Sequence, residues 1–207
     1  MRDTLSLVTD SEEAERMSAI NWPHRYLTFE DWAALPEFPG HQVEVVEGVL
    51  VASPRPVSFH LLAVTRLAYL INEQLPDSLM ALAEAELLIS ERPVTVRSPD
   101  VLVTSTELVE TNPARYQADE LRLVVEVLSE GSRRTDRVTK FSEYAEAGIE
   151  RYWIVDLDPP VSLITYGLIE EDYEDFGEQT GLAELEIAGT AVTIDLNALT
   201  TRRAQRP

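Results

Sequence analysis

Apolar residues recur along this 207-residue chain with two periodicities, one typical of helices and the other of strands. Thr28 precedes a short apolar segment that carries acids in its first turn, which predicts a capped helix ending before Pro36. Valine-rich sequence on both sides of Glu47-Gly48 predicts two short strands within residues 42–52. Leucines at helical spacing then predict a longer helix over residues 58–75.

The most apolar stretches, residues 101–103 and 121–128, predict the central strands of a sheet. Residues 80–89 alternate in part and predict a further strand, one face of which carries Leu82, Glu84, Glu86 and Leu88. The rest of the pattern predicts a helix over 135–147, an exposed loop or hairpin tip over 170–178, a short helix near Leu196, and strands over 151–156, 161–166, 182–187 and 191–194.

These elements predict one domain of the mixed α/β class, an α+β mixed sheet with flanking helices, over residues 21–200. Residues 1–20 are polar and acidic and lack periodicity, so we expect a mobile lead-in there. Residues 201–207 are expected to form a tail. Strands outnumber helices, and we find no internal repeat.

Composition narrows the chemistry that such a domain can carry. The absence of cysteine excludes disulfides, thiolate metal sites and cysteine nucleophiles, so any metal must be held by oxygen or imidazole ligands. The formal charge of −20 counts against a protein that only binds nucleic acid non-specifically. An acidic N-terminus without an apolar core, and no apolar run of about 18 residues, predict a cytoplasmic protein without a membrane segment.

Glu126 is the one acid in the otherwise apolar run of residues 123–128. A carboxylate that is buried, ionised and unpaired is very costly, so Glu126 must be protonated, paired with a cation or bound to a metal. One interpretation is an ion pair with an arginine such as Arg122 or Arg151. The other is a metal site.

Asp100 favours the metal interpretation, because it stands at the start of the other central strand, directly after a proline. If the two strands are neighbours, Asp100 and Glu126 converge and can share an oxygen-ligated divalent cation such as Mg²⁺ or Mn²⁺. Waters and a backbone carbonyl would complete its coordination. The alternative for Asp100 is an ordinary Pro-Asp turn.

Asp136, Lys140 and Tyr144 follow at intervals of four residues on the predicted helix after the Glu126 strand, so they form one stripe. Lys140 is the only lysine among 17 basic residues. A surface ion pair with Asp136 is one interpretation, whereas a compact ammonium group beside a buried acid suits contact with a phosphate oxygen or an attacking water. Nearby arginines form either a phosphate-binding rim or a solvated loop: Arg122, Arg133, Arg134 and Arg137.

Several of these motifs occur together and in order: Ser98-Pro99-Asp100-Val101, Val124 to Ser129, Arg133 to Asp136 with Lys140 and Tyr144, and Gly148 to Asp156. Upstream stand a valine-rich hairpin over residues 43–50, Ser53-Pro54 and His60. The combination resembles the Uma2 family of restriction endonuclease-like proteins, formerly the domain of unknown function 820. The resemblance covers residues 26–199.

The resemblance implies a restriction-endonuclease-like core of the PD-(D/E)XK superfamily, with an N-terminal hairpin and helix. It implies a metal-dependent endonuclease whose substrate is DNA, in which Asp100, Glu126 and the Val127 carbonyl hold Mg²⁺ or Mn²⁺. The superfamily carries its lysine two positions after the second acid, where this chain has Leu128. Lys140 is therefore expected to supply the catalytic ammonium group.

Glu44, His60 and Asp136 are candidate accessory residues of such a site, although an exposed strand acid and a structural histidine are the alternatives for Glu44 and His60. A homodimer is expected by analogy, since paired nicks need two sites. The alternative function is a catalytically silent nuclease-fold module that binds nucleic acid or protein. An unrelated phosphatase or small-molecule hydrolase that uses the same acids is a third hypothesis.

Overall fold

The computed structural model of the protein describes residues 25–36, 38, 41–129 and 131–200. The predicted lead-in over residues 1–20 and the predicted tail over residues 201–207 lie outside the described residues. No helix in the described ranges is long and apolar enough to cross a membrane.

Strands are the commonest regular element of the described structure. They are β1 (His41–Val46), β2 (Val49–Pro54), β3 (Leu79–Ala83), β4 (Leu87–Glu91), β5 (Val94–Arg97), β6 (Val101–Ser105), β7 (Tyr116–Gln117), β8 (Leu121–Val127), β9 (Arg151–Asp156), β10 (Ser162–Ile169), β11 (Asp172–Thr180), β12 (Leu182–Ile187) and β13 (Thr190–Asp195). The helices are α1 (Phe29–Ala33), α2 (Ser58–Asn72), α3 (Thr106–Glu110) and α4 (Phe141–Glu146). A π-helical turn, Thr135–Lys140, leads directly into α4, and 3₁₀ turns cover Ala118–Glu120 and Leu196–Leu199.

The strands form two mixed sheets and one separate hairpin. The larger sheet has the order β11-β10-β9-β8-β6-β3, in which β8 and β9 run parallel and their other neighbours antiparallel. The smaller sheet has the order β2-β1-β5-β4-β7. Strands β12 and β13 pair with each other. The mixture of strands and helices agrees with the predicted class.

Strand β8 lies inside the larger sheet and is covered on both faces, as its apolar sequence predicts. On one face, Leu123, Val125 and Val127 pack in a core with α2 and the β12–β13 hairpin. On the other face, Val124 packs in a second core with α4. Glu126 belongs to this second face, because side chains alternate along a strand. The fold thus sends one acid into an otherwise apolar layer.

The predicted N-terminal elements are confirmed. Thr28 caps α1 in a capping box, in which its hydroxyl accepts from the backbone N–H of Asp31 and the Asp31 carboxylate accepts from the backbone N–H of Thr28. Strands β1 and β2 form the predicted hairpin around Glu47-Gly48, and Gly48 has a φ of 81° that favours glycine. Helix α2 begins at the predicted position and ends three residues before the predicted end, at Asn72.

The prediction of one strand over residues 80–89 is wrong. The chain leaves β3 of the larger sheet after Ala83 and enters β4 of the smaller sheet at Leu87. Glu84 takes a positive φ of 53° at this crossing. Leu87 and Leu88 are both buried although they are consecutive, because β4 is covered on both faces. Partial alternation of apolar and polar residues does not indicate that the chain passes from one sheet to another.

Two further segments differ from the sequence-based expectation. Residues 170–178 are expected to form a loop or hairpin tip, but only Glu170 and Glu171 form the turn, and β11 follows directly. The buried strand β5 and the short helix α3 are not predicted at all. β5 is only four residues long, which is too short for a periodic signal.

Candidate active site

Asp100 and Glu126 meet at one end of two neighbouring strands. β6 and β8 pair antiparallel with Val101 opposite Val125 and Leu102 opposite Val124. Continued one step beyond the last paired residues, this register brings Asp100 to the level of Glu126, and the charge of Asp100 contributes to the raised pKa of Glu126. Side chains opposite each other in an antiparallel pair have Cβ atoms about 4.5–5.5 Å apart. The predicted convergence of the two acids is therefore present in the fold.

Asp100 is bound to the end of β8 and to the start of α2. Its Oδ2 atom accepts a hydrogen bond of 2.6 Å from the backbone N–H of Val127. His60 lies in the first turn of α2, and its Nε2 atom is 2.8 Å from the Val127 carbonyl oxygen and 3.3 Å from Asp100 Oδ2. The imidazole thus stands between the two oxygen donors that the family resemblance assigns to a metal.

Lys140 and Tyr144 hold the Glu126 carboxylate. Both donate to the same oxygen, Oε1, the Lys140 ammonium group over 2.8 Å and the Tyr144 hydroxyl over 2.7 Å. The cation beside Glu126 is therefore the lysine of the following helical segment. The two arginines considered as partners lie elsewhere: Arg122 is 3.9 Å from Glu150, and Arg151 stacks over the ring of Phe176.

Asp136 is buried beside Lys140 and is only 1% exposed. The Lys140 ammonium group lies 3.3 Å from Asp136 Oδ1, yet neither carboxylate oxygen of Asp136 has a hydrogen bond of ordinary geometry. Both residues lie on the π-helical turn, a distortion that is frequent at functional sites. The interpretation of this pair as a surface ion pair is wrong, because the tertiary fold covers it.

The smaller sheet adds a second group of charges to the site. Glu44 of β1 accepts from the Arg97 guanidinium at 2.9 Å and from the Ser98 backbone N–H at 2.9 Å, and it lies 3.9 Å from the Lys140 ammonium. The Glu44 side chain is 13% exposed, so its interpretation as an exposed strand acid is wrong. Glu143 of α4 binds the other side of Arg97 at 2.7 and 2.8 Å.

Arg97 and Glu143 also belong to the charge network around Lys140, but they are not among the residues predicted from the sequence. Arg97 ends the valine-rich strand β5, just before the Ser98-Pro99-Asp100 motif, and it is only 2% exposed. The signal that finds Glu126, a lone charge in an apolar strand, is also present at Arg97. Glu143 carries no comparable signal, because acids are common on helix surfaces.

The arginines near Lys140 in the sequence contact acids of the protein. Arg133 binds Asp156 at 2.6 and 3.0 Å, and Arg137 lies 3.6 Å from the same carboxylate. Burial raises the pKa of Asp156, but hydrogen bonds from Arg133 and from the Asp158 backbone outweigh burial and lower it. Arg134 is exposed. These contacts agree with the interpretation that the arginines balance nearby acids, but the segment is helical and not the loop that this interpretation expects.

Negative charge exceeds positive charge in this cluster. Its two permanent cations, Arg97 and Lys140, are outnumbered by carboxylates within the same network: Glu44, Asp100, Glu126, Asp136 and Glu143. Such an excess in a buried site is unfavourable unless protons or a bound cation offset it.

The pKa values of two of these acids are raised, as expected for buried groups among an excess of negative charge. Burial raises the pKa of Glu126 to about 8, against the opposing charge of Lys140 and with the help of Asp100 and Asp136. Burial also raises the pKa of Asp136. Both carboxyl groups therefore ionise less readily than exposed ones, and a cation placed beside them would favour their ionised forms.

The pKa values of Lys140 and His60 shift in the direction that favours their charged forms. Burial lowers the pKa of Lys140, but the charges of Glu126, Glu44 and Asp136 outweigh burial and raise it. Burial likewise lowers the pKa of His60, and its contacts with Asp100 and the Val127 carbonyl outweigh burial. Lys140 is therefore a fixed positive charge at neutral pH.

Comparison with known proteins identifies the family. The sequence profile of the Uma2 family, described as "Putative restriction endonuclease", matches residues 28–187, which are 160 of the 207 residues. The chain therefore belongs to the Uma2 family. No curated protein sequence matches it.

A solved structure shares the fold of this Uma2 chain. It is the crystal structure of a protein described as "a putative nuclease belonging to DUF820 from Anabaena variabilis ATCC 29413". The two chains are 18% identical, the match covers 84% of this chain and 97% of the other, and the TM-score is 0.65. The likeness confirms the predicted fold class.

Leu128 takes no part in the site of this Uma2 chain. It is 4% exposed and packs in the second core with Tyr144 and Ile149. Lys140 instead reaches Glu126 from the π-helical turn. An ammonium group thus lies beside Glu126, and it comes from another element than the strand that leads to Leu128.

The residues of the site fit a divalent cation of the magnesium type. Asp100, Glu126 and the Val127 carbonyl offer oxygen donors, which such cations prefer. The poorly hydrogen-bonded oxygens of buried Asp136 and the excess of carboxylates both call for additional positive charge. Within the described ranges no three histidine or acidic side chains converge into a complete metal site, so the Val127 carbonyl and waters would be needed as further ligands.

Proposed function

We propose that this Uma2 protein is a metal-dependent endonuclease that hydrolyses phosphodiester bonds of DNA. The observation that carries the proposal is the meeting of Asp100, Glu126 and the chain's only lysine at one end of β6 and β8. Family membership supports a nuclease. Two acids on adjacent strands offer oxygen ligands to a metal that assists phosphodiester hydrolysis, and a buried ammonium group lies beside one of them.

Asp100, Glu126 and the Val127 carbonyl would hold Mg²⁺ or Mn²⁺. When bound, such an ion lowers the pKa of a coordinated water and withdraws charge from the scissile phosphate. His60 now contacts both Asp100 and the Val127 carbonyl, so it holds these two donors at a fixed separation. We assign His60 a positioning role at the start of α2.

Lys140 would provide fixed positive charge for the transition state. Because its pKa is raised, it stays protonated at neutral pH and serves as an electrostatic stabiliser rather than as a base. Tyr144 holds the same oxygen of Glu126 and so keeps the carboxylate in register with Lys140. Asp136 and Glu44 flank the ammonium group and fix its position.

A cavity of about 790 Å³ lies next to the strand that leads to Asp100. Its lining includes Gln42, Arg55, Glu84 and Ser98, and the backbone N–H of Glu84 donates to the Asp100 carbonyl oxygen at 3.1 Å. This volume suits a ligand of nucleotide size. Arg115 in its lining is paired with Glu86, so among the described arginines of the lining Arg55 alone is available to an anion, and we assign to the cavity a single nucleotide of the DNA next to the cleaved bond.

A catalytically silent module is the second candidate function. The observation that favours it is the closure of the site: Asp100 is 7% and Glu126 3% exposed, and Lys140 already neutralises Glu126. Such a protein would bind nucleic acid or protein without cutting. Its acids and Lys140 would then serve as a buried structural network.

Cleavage assays separate these functions. Supercoiled plasmid, single-stranded DNA, RNA and simple phosphate esters are incubated with the protein and Mg²⁺ or Mn²⁺, with chelator as the blank. The proposal predicts cut DNA with metal, and a loss of at least about 100-fold in rate in Asp100→Asn and Glu126→Gln. Asp172→Asn on the exposed strand β11 is the matched control and keeps full activity.

Two results would contradict the proposal. DNA binding without cleavage in either metal identifies the silent module. Hydrolysis of phosphate esters while all nucleic acids stay intact identifies a small-molecule hydrolase that uses the same acids.

A further inference from the structure

Strand β2 (Val49–Pro54) is an unusual edge of the smaller sheet. One side of it pairs with β1 along its full length, and in the described part of the chain no strand pairs with its other side. Its sequence, Val-Leu-Val-Ala-Ser-Pro, contains no charge. An uncharged edge of this length is a template for pairing with another strand.

The larger sheet shows how this protein protects an edge. Its edge strand β11 carries four acids among nine residues: Asp172, Glu174, Asp175 and Glu178. Charges on an edge strand oppose the approach of a second strand. The other edge strand of that sheet, β3, has no charge, but the Asn72 side chain binds the backbone N–H and carbonyl of Ala81. On β2 only the last residue, Pro54, opposes pairing, so the edge from Val49 to Ser53 stays open to a partner.

Exposed apolar side chains lie on β2 and in the segment that follows it in the sequence. Val51 is 39% exposed, and after the strand Val57, Phe59 and Leu61 are 74%, 64% and 43% exposed at the start of α2. Of the eleven large apolar side chains that are exposed in the described ranges, six lie between residues 49 and 69. A concentration of this kind marks an interaction surface.

The charge pattern identifies the partner as a second copy of the chain. Residues 48–72 contain no Asp or Glu, which is the longest such stretch in a protein with 37 acids. Two copies of a chain with a net charge of −20 repel each other, and residues near a two-fold axis meet their own copies, so a surface without acids is where such a chain can approach a second copy at the lowest electrostatic cost. A DNA-binding surface would instead carry several free cations. This stretch has only Arg55 and Arg66, and Arg66 donates to the Ala198 carbonyl.

We propose that β2 and the start of α2 form the interface of a homodimer, in which the two β2 strands pair antiparallel across the two-fold axis. The two smaller sheets then become one continuous sheet. Exposed apolar side chains at the start of α2 flank the paired strands and become buried on association.

The dimer would place the two candidate sites side by side, a consequence that rests on the proposed function. Glu44 of β1 is the register partner of Val51 on β2. Across the joined sheet, two Glu44 residues are then three strand spacings apart, about 14 Å in that direction. Paired residues of an antiparallel sheet point to the same face, so both sites face one side. This arrangement suits cutting of both strands of a duplex.

Cysteine cross-linking tests the interface directly, because the chain has no cysteine of its own. Val51→Cys and Ala52→Cys lie near the middle of β2, where each strand would meet its own copy. Under mild oxidation we expect a disulfide-linked dimer from at least one of them, since antiparallel neighbours bring Cβ atoms within bonding distance. Ile169→Cys, 45% exposed at the end of β10, is the matched control and stays monomeric on a denaturing gel.

Light scattering of the unmodified full chain provides the second test. We expect the mass of a dimer at tens of micromolar protein, and at least a tenfold higher dissociation constant in Val51→Glu and Phe59→Glu. Ile169→Glu should leave the dimer unchanged. Circular dichroism confirms that each variant is folded, and the cysteine variants test the interface if a glutamate variant is not.

Two outcomes would overturn the proposal. One is a monomeric mass for the unmodified chain at these concentrations, with no cross-link through β2. The other is a dimer that persists unchanged in both glutamate variants. Loss of DNA binding in those variants, without any change in mass, would assign the surface to nucleic acid. All these readouts are independent of cleavage, so failure here leaves the proposed function standing.

Discussion

The Lys140 ammonium nitrogen lies 2.8 Å from Oε1 of Glu126, and both side chains are buried. The two residues are fourteen positions apart and come from a strand and a π-helical turn. A buried pair of this kind is costly to break from one side only, because the remaining charge then has no partner. The pair therefore governs both the stability and the chemistry of the site.

Removal of Lys140 should strongly destabilise the protein. In Lys140→Met we expect the free energy of unfolding, measured by urea titration, to fall by about 3–5 kcal/mol, because Glu126 and Asp136 lose their shared cation. The double variant Lys140→Met with Glu126→Gln should recover part of this loss. Arg134→Met, at an exposed position beside the same turn, is the control, with a change within about 0.5 kcal/mol. Equal effects of the single and double variants would contradict the pairing.

Loss of the Tyr144 hydroxyl should cost more than loss of a hydroxyl that binds a neutral group. Tyr144 donates to the Glu126 carboxylate, whereas Tyr173 donates to the Ile149 carbonyl at 2.8 Å. At pH 9, above the pKa of about 8 that burial gives Glu126, we expect Tyr144→Phe to lower the free energy of unfolding by about 1.5–3 kcal/mol and Tyr173→Phe by about 0.5–1.5 kcal/mol. The same urea titrations measure both values. The reverse order would show that Glu126 is not ionised beside Tyr144.

Stability without metal should fall as pH rises. The pKa of Glu126 is raised from 4.5 to about 8 in the folded protein, so folding favours its protonated form. Its contribution is complete below about pH 4.5 and is lost as pH rises through about 8. Thermal unfolding in the presence of chelator, from pH 5 to pH 9, measures this slope.

Glu126→Gln is the control for that slope, because glutamine cannot ionise. We expect a flatter pH dependence in this variant than in the unmodified protein over the same range. Identical slopes would mean that the pKa of Glu126 does not change on folding.

Addition of Mn²⁺ or Mg²⁺ should reverse the loss of stability at high pH. A ligand that binds only the folded state stabilises it by about 2.7 kcal/mol at a hundredfold excess over its dissociation constant. We expect a rise in melting temperature in the unmodified protein and in Asp172→Asn, and none in Asp100→Asn or Glu126→Gln. A similar rise in all four proteins would place the binding elsewhere.

Much of the site could be predicted because its key residues conflict with their local surroundings. Glu126 is an acid in an apolar strand, and Asp136, Lys140 and Tyr144 keep helical spacing. In the structure Asp136 and Lys140 lie on the π-helical turn and Tyr144 lies on α4. The tertiary fold buries all three side chains, whereas a surface ion pair would be exposed. Local sequence therefore identified the stripe, but not its burial.

Other features depend on contacts that no local pattern encodes. The Arg97 guanidinium joins Glu44 and Glu143 from three separate elements, and the crossing of the chain at Glu84 joins two sheets. Both result from how the sheets pack together. The number of acids in the sequence likewise does not show which of them binds Arg133, and in the structure this is Asp156.

Crystals soaked in Mn²⁺ provide the decisive test of a metal shared by Asp100 and Glu126, since anomalous scattering locates the ion. We expect one ion per chain within about 2.0–2.6 Å of a carboxylate oxygen of both Asp100 and Glu126, with the Val127 carbonyl as a further ligand. An ion bound elsewhere, or no ion at millimolar Mn²⁺ with Lys140 still closing the Glu126 carboxylate, would contradict this expectation.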